Sequence, residues 1–187
     1  MIDTLRIEVK DSQEMAPAEK REIHLFCEEA YGEDLSRLFA VYHPGFHVLA
    51  RLDDKLISHA MVVTRWLQAG NGPLLRTGYV EMMATAREWR GKGVGRSLMR
   101  VLTRAILLDG YELAALCPAE TRLYEHLGWE YWRGPLFVRQ PRPSATEPAR
   151  LIATPEERIM IMRLPASPAL DLDVDLSVEW RPGGELW

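Results

Sequence analysis

The sequence predicts a mixed α/β fold built around one sheet. Segments of apolar alternation at period two recur along the chain. One strongly amphipathic helical stretch follows a glycine-rich turn, and strand and helix signals alternate after it. The order is strand, two helices, three successive strands, then helix, strand, helix and further strands. Antiparallel hairpins therefore come first and a βαβ crossover follows. The 187 residues read as a single domain, 1–187, with a proline-rich linker at about 141–155 and a tail at 165–187.

Each element has its own signal. Residues 5–9 alternate as a strand. Pro17 opens a helix carrying Ile23, Phe26, Cys27 and Ala30 at helical spacing. A short helix follows Gly32, with Leu35, Leu38 and Phe39 on one face. Strands are predicted over 46–52 and 56–67, joined by a hairpin turn at Asp53-Asp54-Lys55. After the Ala69-Gly70-Asn71-Gly72-Pro73 break comes a strand over 74–85. The next helix is expected to bury Val94, Leu98, Val101, Leu102, Ala105 and Leu108, and to end at Gly110. Residues 111–116 read as a strand, 119–127 as a short helix stopped by Gly128, and 137–139 and 159–164 as strands. In 170–176 apolar residues alternate with the acids of "DLDVD", which predicts an edge strand with one acidic face.

Composition excludes several classes. The chain is 47% hydrophobic and 27% charged with a net charge of -4, which disfavours nucleic acid as partner and suits a cationic small molecule. No apolar run reaches spanning length, and the charged N-terminus lacks a signal-peptide core, so a soluble cytoplasmic protein without a membrane partner is expected. Cys27 and Cys117 form no disulfide framework. His24, His43, His47, His59 and His126 show no metal-ligand spacing, so no metal is expected.

The chemistry concentrates in "YVEMMATAREWRGKGVGRSLMRVL", residues 79–102. A strand runs into Arg90-Gly91-Lys92-Gly93-Val94-Gly95 and then into a helix. Glycines let the backbone approach a ligand closely, and the first helical N–H groups favour an anion, most often phosphate. A Walker loop and a Rossmann fingerprint are both absent by spacing. Arg90-x-x-Gly93-x-Gly95 after a strand resembles the pyrophosphate loop of the GCN5-related N-acetyltransferase (GNAT) superfamily, and "TRLYEHLGWEYW" resembles that superfamily's later helix. The resemblance implies the GNAT acyl-CoA N-acyltransferase fold, with splayed parallel strands at 74–85 and 111–116, and acetyl-CoA as co-substrate. Met83, Ala84 and Thr85 would then line the pantetheine arm. Arg90, Gly91, Lys92, Gly93, Val94 and Gly95 would wrap the pyrophosphate, with help from Arg96. Arg100 and Arg104 read as a solvated face.

Acetyl transfer to an amine needs a base for the amine, a donor for the oxyanion and a proton for the departing thiolate. Glu81 lies on the central strand two residues before Met83 and is the candidate base, since such a strand has little solvent face. Tyr124 is the candidate acid, with core packing as the competing role. Cys117 reads as a pocket wall, because the superfamily transfers directly.

The pattern "GYVE…WRG…RLY…GW…GP", with the closing "WRPGGELW", resembles the aminoglycoside 2'-N-acetyltransferases, linked to antibiotic resistance. This implies direct acetylation of an aminoglycoside 2'-amine. Asp34, Glu81, Met82, Cys117, Glu157 or Arg158, Glu185 and the Trp187 carboxylate would line the acceptor site. Carboxylates hold ammonium groups by charge-assisted hydrogen bonds, and Trp180 and Trp187 would bury the tail. With Arg158 and Arg65 near the site, the acceptor could instead carry an anion, as kasugamycin does, so that drug and the 2-deoxystreptamine class stand level. A homodimer is expected by resemblance alone. The alternatives are a GNAT enzyme acting on another small-molecule or protein amine, and a non-catalytic coenzyme A sensor.

Overall fold

A computed structural model describes residues 5–141 and 149–187. The elements are β1 (Leu5–Asp11), α1 (Pro17–Tyr31), α2 (Ser36–Val41), β2 (Pro44–Leu52), β3 (Lys55–Ala69) and β4 (Leu74–Thr85), then a 3-10 turn at Arg87–Trp89. They continue with α3 (Val94–Leu108), β5 (Leu113–Leu116), α4 (Arg122–Glu125), β6 (Glu130–Tyr131), β7 (Leu136–Arg139), β8 (Leu151–Ala153), β9 (Met160–Arg163) and β10 (Leu176–Glu179). Two compact units divide these elements, and β3 and β4 run through both. Among the described residues no helix is long and apolar enough to cross a membrane.

The first unit holds the described residues up to Val63 together with Val80–Asp109. Here β1, β2 and β3 form an antiparallel meander, with Val9 opposite Val48 and Val48 opposite Ala60. Asp53 and Asp54 make the β2–β3 turn, both at positive φ (47° and 68°), as the two central residues of a type I′ hairpin require. Helix α1 starts as its sequence signals: Pro17 occupies the first turn, and the Glu19 carboxylate accepts the Ala16 N–H at 3.1 Å. Gly32 closes it in the left-handed region, its N–H bonded to the Glu28 carbonyl at 2.8 Å.

Helix α3 packs across β1 and β2 and buries Val94, Leu98, Met99, Leu102 and Ile106. This corrects the expected stripe. Met99 and Ile106 replace Val101 and Ala105 as core residues, and Leu108 is 76% exposed. The buried set steps mainly by four residues, from Val94 through Leu98 and Leu102 to Ile106, so the packed stripe drifts around the helix away from Val101, Ala105 and Leu108.

The second unit holds Thr64–Tyr79 and the described residues from Gly110 onward, with strand order β6-β9-β5-β4-β3-β10-β7-β8. β4 and β5 are parallel over Thr77–Tyr79 and Leu113–Ala115, and β10 and β7 are also parallel. The β9 strand runs antiparallel to β5 and β6. Leu113, Ala114, Ile159, Ile161, Leu176 and Val178 form the core.

Three expectations fail in this unit. Residues 171–175 are turns rather than an edge strand, and β10 begins only at Leu176. Asp171 accepts the Asp173 N–H at 3.0 Å, an Asx turn, and Asp173 is held by both arms of Arg133 at 2.6 Å. The backbone there packs so tightly that a Cβ on Gly134 would lie 2.0 Å from the Val174 carbonyl oxygen. The span 141–155 is not simply a linker, because Leu151–Ala153 pairs with β7; its residues 142–148 lie outside the described residues. The predicted helix 119–127 contracts to one turn, Arg122–Glu125, and Gly128 (φ 86°) ends the turn that follows.

Candidate active site

In the first unit the end of β4 carries a run of candidate residues. Glu81 is 8% exposed, so the central-strand argument holds for its burial. Met82, next to it, is buried with φ +51°, a left-handed conformation unusual for a side-chain-bearing residue. The Met83 carbonyl accepts the Tyr31 hydroxyl at 3.2 Å, the Ala84 carbonyl accepts the Ser58 hydroxyl at 2.7 Å, and the Thr85 carbonyl accepts Arg90 Nε at 3.0 Å. Each carbonyl retains a second lone pair.

The loop that follows is shaped by glycine. Gly91 (φ 73°) and Gly93 (φ 84°) are both left-handed, and a Cβ built on either would meet nothing within 4 Å, so open space lies over the backbone. Gly93 caps α3, whose first backbone bond runs from Ser97 N to the Gly93 carbonyl. Helix geometry therefore leaves the N–H groups of Val94, Gly95 and Arg96 outside the ladder, at the positive end of the dipole. Lys92 and Arg96 are exposed beside them, with Lys92 Nζ 4.7 Å above the Trp89 ring. This arrangement fits a diphosphate. The Arg90 guanidinium turns inward, donating to Thr85 and to the Ala30 carbonyl at 3.0 Å, and so ties the loop to the end of α1.

Asp34 lies after α1 with a neighbourhood the sequence did not reveal. Its carboxylate accepts the Ser36 N–H at 2.8 Å, and the Ser36 hydroxyl, followed by that N–H, holds its pKa below the usual carboxylate range. His24, Glu28 and Asp34 each bring one polar atom within 4.8 Å of the others, and His24 Nε2 is 3.0 Å from Glu28. The His24–Glu28 spacing of i, i+4 was the available signal.

In the second unit three expected residues act on the sulfur of a fourth, Cys117. The Cys117 thiol donates to Glu157 Oε2 at 3.5 Å. Burial, then the Glu157 carboxylate, push its pKa up to about 12, with the Arg158 backbone N–H and the Glu185 charge also acting on it. At neutral pH this thiol keeps its proton and is no nucleophile. Glu157 faces the sulfur, whereas the Arg158 side chain is exposed. Thr154, three residues before Glu157, accepts the Trp187 indole N–H at 2.8 Å, and Trp187 is 2% exposed. Arg65, almost wholly buried, donates to the Glu179 carboxylate at 2.8 Å and to the Leu186 carbonyl at 3.2 Å. Trp180, expected to help bury the tail, is 41% exposed.

Tyr124 sits in α4, buried edge-on against Trp129 with ring centroids 6.1 Å apart. Burial, with a smaller contribution from Glu120, raises its phenol to about 12. The core-packing role is thus real, and the hydroxyl remains a proton donor across the physiological range.

A model of the acetyltransferase (GNAT) domain matches residues 14–132. The chain belongs to the GNAT acetyltransferases. It is an N-acetyltransferase with the GNAT acyl-CoA N-acyltransferase fold. An aminoglycoside 2'-N-acetyltransferase of Mycolicibacterium fortuitum is 34% identical over 149 residues, 76% of this chain and 71% of that one. The GNAT family N-acetyltransferase YhbS of Escherichia coli, solved in complex with CoA, has a TM-score of 0.62 at 16% identity over 97% of this chain and 91% of that one. A GCN5-related N-acetyltransferase of Kribbella flavida has a TM-score of 0.55 at 23% identity over 71% of this chain; the GNAT chain here spans only 34% of its length.

Proposed function

We propose that this GNAT enzyme transfers the acetyl group of acetyl-CoA directly to the 2'-amine of a 2-deoxystreptamine aminoglycoside. The observation that carries the acceptor assignment is the gathering of Glu157 and Glu185 around the protonated Cys117, next to the buried Trp187. Two carboxylates in one place suit a polycation, and the 34% identical relative, named an aminoglycoside 2'-N-acetyltransferase, supports the same acceptor. The acid cluster of Glu28 and Asp34 beside His24 is a further place for an ammonium group.

Acetyl-CoA supplies the activated thioester. The Gly91–Gly93 turn and the first N–H groups of α3 hold its diphosphate, with Lys92 and Arg96 adding charge. Met83, Ala84 and Thr85 line its arm. Glu81, acting through a water, takes the proton from the attacking amine. Backbone N–H groups stabilise the developing oxyanion. Tyr124 gives its proton to the departing sulfur. One domain, a cytoplasmic location and a homodimer belong to the same reading; light scattering of purified protein tests the last.

A second acceptor is favoured by one observation: Arg158, exposed, lines a 590 Å³ cavity together with Glu157 and suits a carboxylate-bearing drug such as kasugamycin. Arg65 does not add to that case, because Glu179 and the tail already occupy it. The test is a drug panel with acetyl-CoA, thiol release as readout and mass spectrometry of the product. Release with 2'-amino 2-deoxystreptamine drugs is expected; release with kasugamycin alone selects the second acceptor, and release with none refutes both.

A further inference from the structure

Two buried histidines stand behind the end of β4, and nothing described so far uses them. His59 of β3 is fully buried and His47 of β2 nearly so. His59 Nδ1 lies 3.0 Å from the Met82 carbonyl oxygen, and His59 Nε2 lies 2.9 Å from His47 Nδ1. Cys27 Sγ of α1 lies 3.4 Å from the same His59 Nδ1.

The partners fix the protons. A carbonyl only accepts, so His59 carries its hydrogen on Nδ1. Its Nε2 is then a bare acceptor, and His47 must donate from Nδ1. The result is a directed chain, His47 to His59 to the Met82 carbonyl. Burial keeps both rings neutral, with pKa values lowered to about 4 for His47 and about 3 for His59.

The chain ends on the Met82 peptide, within β4. Met82 sits at φ +51°, which costs an L-residue roughly 1–2 kcal/mol. The turn sits at the end of the strand's buried run, Thr77 to Met82, where neither face meets water. Two buried imidazoles are a poor way to gain stability, since each loses water and must be re-bonded. An apolar pair would fill the space as well. It would not hold a carbonyl in a chosen direction.

We propose that the His47–His59 pair is a positioning device for acetyl transfer: His59 clamps the Met82 peptide in its left-handed turn and thereby fixes the direction of Glu81 on one side and the Met83 backbone on the other. This rests on Glu81 being the base. His59 and His47 are positioning residues and touch no reacting atom.

The first measurement needs no acceptor. Nitrogen-15 spectra of the histidine-labelled full-length protein should show His59 and His47 both protonated on Nδ1 only; a His59 carrying its proton on Nε2 overturns the clamp. The second uses acetyl-CoA with the best acceptor from the drug panel. His59→Leu should lower kcat roughly 10- to 100-fold, the scale of a misplaced reacting group, with KM for the acceptor nearly unchanged. His59→Asn, whose amide N–H overlays Nδ1–H, should recover most of that loss. A His59→Leu protein with lowered Tm and unchanged kcat makes the role purely structural and overturns the proposal. If His59→Leu does not fold, His47→Leu replaces it, and unchanged kcat together with loss of the Nδ1–H tautomer of His59 is then the overturning result. Combining His59→Leu with Glu81→Gln separates this proposal from the assignment of the base. A double variant no slower than Glu81→Gln alone supports the clamp, and fully multiplied losses overturn it. Normal turnover in Glu81→Gln instead removes the base, and with it the proposal's target.

Discussion

At the scale of single residues, the proposed reaction turns on Glu81 and Tyr124. Glu81→Gln keeps shape and loses the base, so kcat should fall roughly 100- to 10,000-fold while the Tm stays close to that of the parent. Tyr124→Phe should slow turnover in the same direction and leave acetyl-CoA binding intact. The phenol, held at about 12 by burial, also shapes the pH profile. A phenol of that pKa keeps its proton, and stays neutral, well past the ordinary tyrosine value of about 10. A pH–rate profile should therefore rise as the acceptor amine deprotonates and then stay level through about pH 10. A descending limb centred there would remove Tyr124 as the acid. The sequence singles out both as candidates, one through a strand with no solvent face and the other through the "RLYEHLGW" helix. It was silent about Tyr31, whose hydroxyl reaches Met83 from 52 positions away.

At the scale of elements, β4 was legible and its surroundings were not. Its bounds, 74–85, follow from the glycine break before it and the Arg90 turn after it, both local signals. The histidine chain behind it draws on four elements, α1, β2, β3 and β4, so no window of sequence contains it. The "DLDVD" turn was misread for the same reason, because Arg133 and Gly134, which decide it, lie some 40 positions away. The histidines also set a pH dependence of folding. Their folded pKa values, about 4 and about 3, lie below the unfolded value near 6.5, so the unfolded chain binds more protons in between. Above about pH 6.5 they leave folding stability unchanged with pH; below it stability falls by about 1.4 kcal/mol per pH unit and per histidine until the folded pKa values are reached. Thermal unfolding from pH 7 to 4.5 should show a falling Tm that His47→Gln flattens. Below that window the lowered carboxyls of Glu19 and Asp173 take over, and their bonded forms protonate.

At the scale of the whole molecule, long-range ties matter more than element count. Arg65 and Glu179 are 114 positions apart and joined by an asymmetric ion pair, with 2% of the arginine side chain exposed and 37% of the glutamate. Glu179→Ala leaves a buried guanidinium without its carboxylate and should cost roughly 3–5 kcal/mol. Arg65→Met leaves a carboxylate that reaches water and still accepts the Trp66 N–H, so it should cost clearly less. Denaturant titration of the two variants checks the order, and equal losses would mean the burial asymmetry has no weight. The β2–β3 hairpin points to something else. Two aspartates occupy left-handed positions where Asn-Gly would sit without strain, and the Asp54 side chain is almost fully in water. The catalyst thus carries unused thermodynamic headroom far from its chemistry. A glycine at position 54 would raise the threshold at which damaging substitutions unfold the chain, and more acceptor-site variants could then be sampled before the fold gives way.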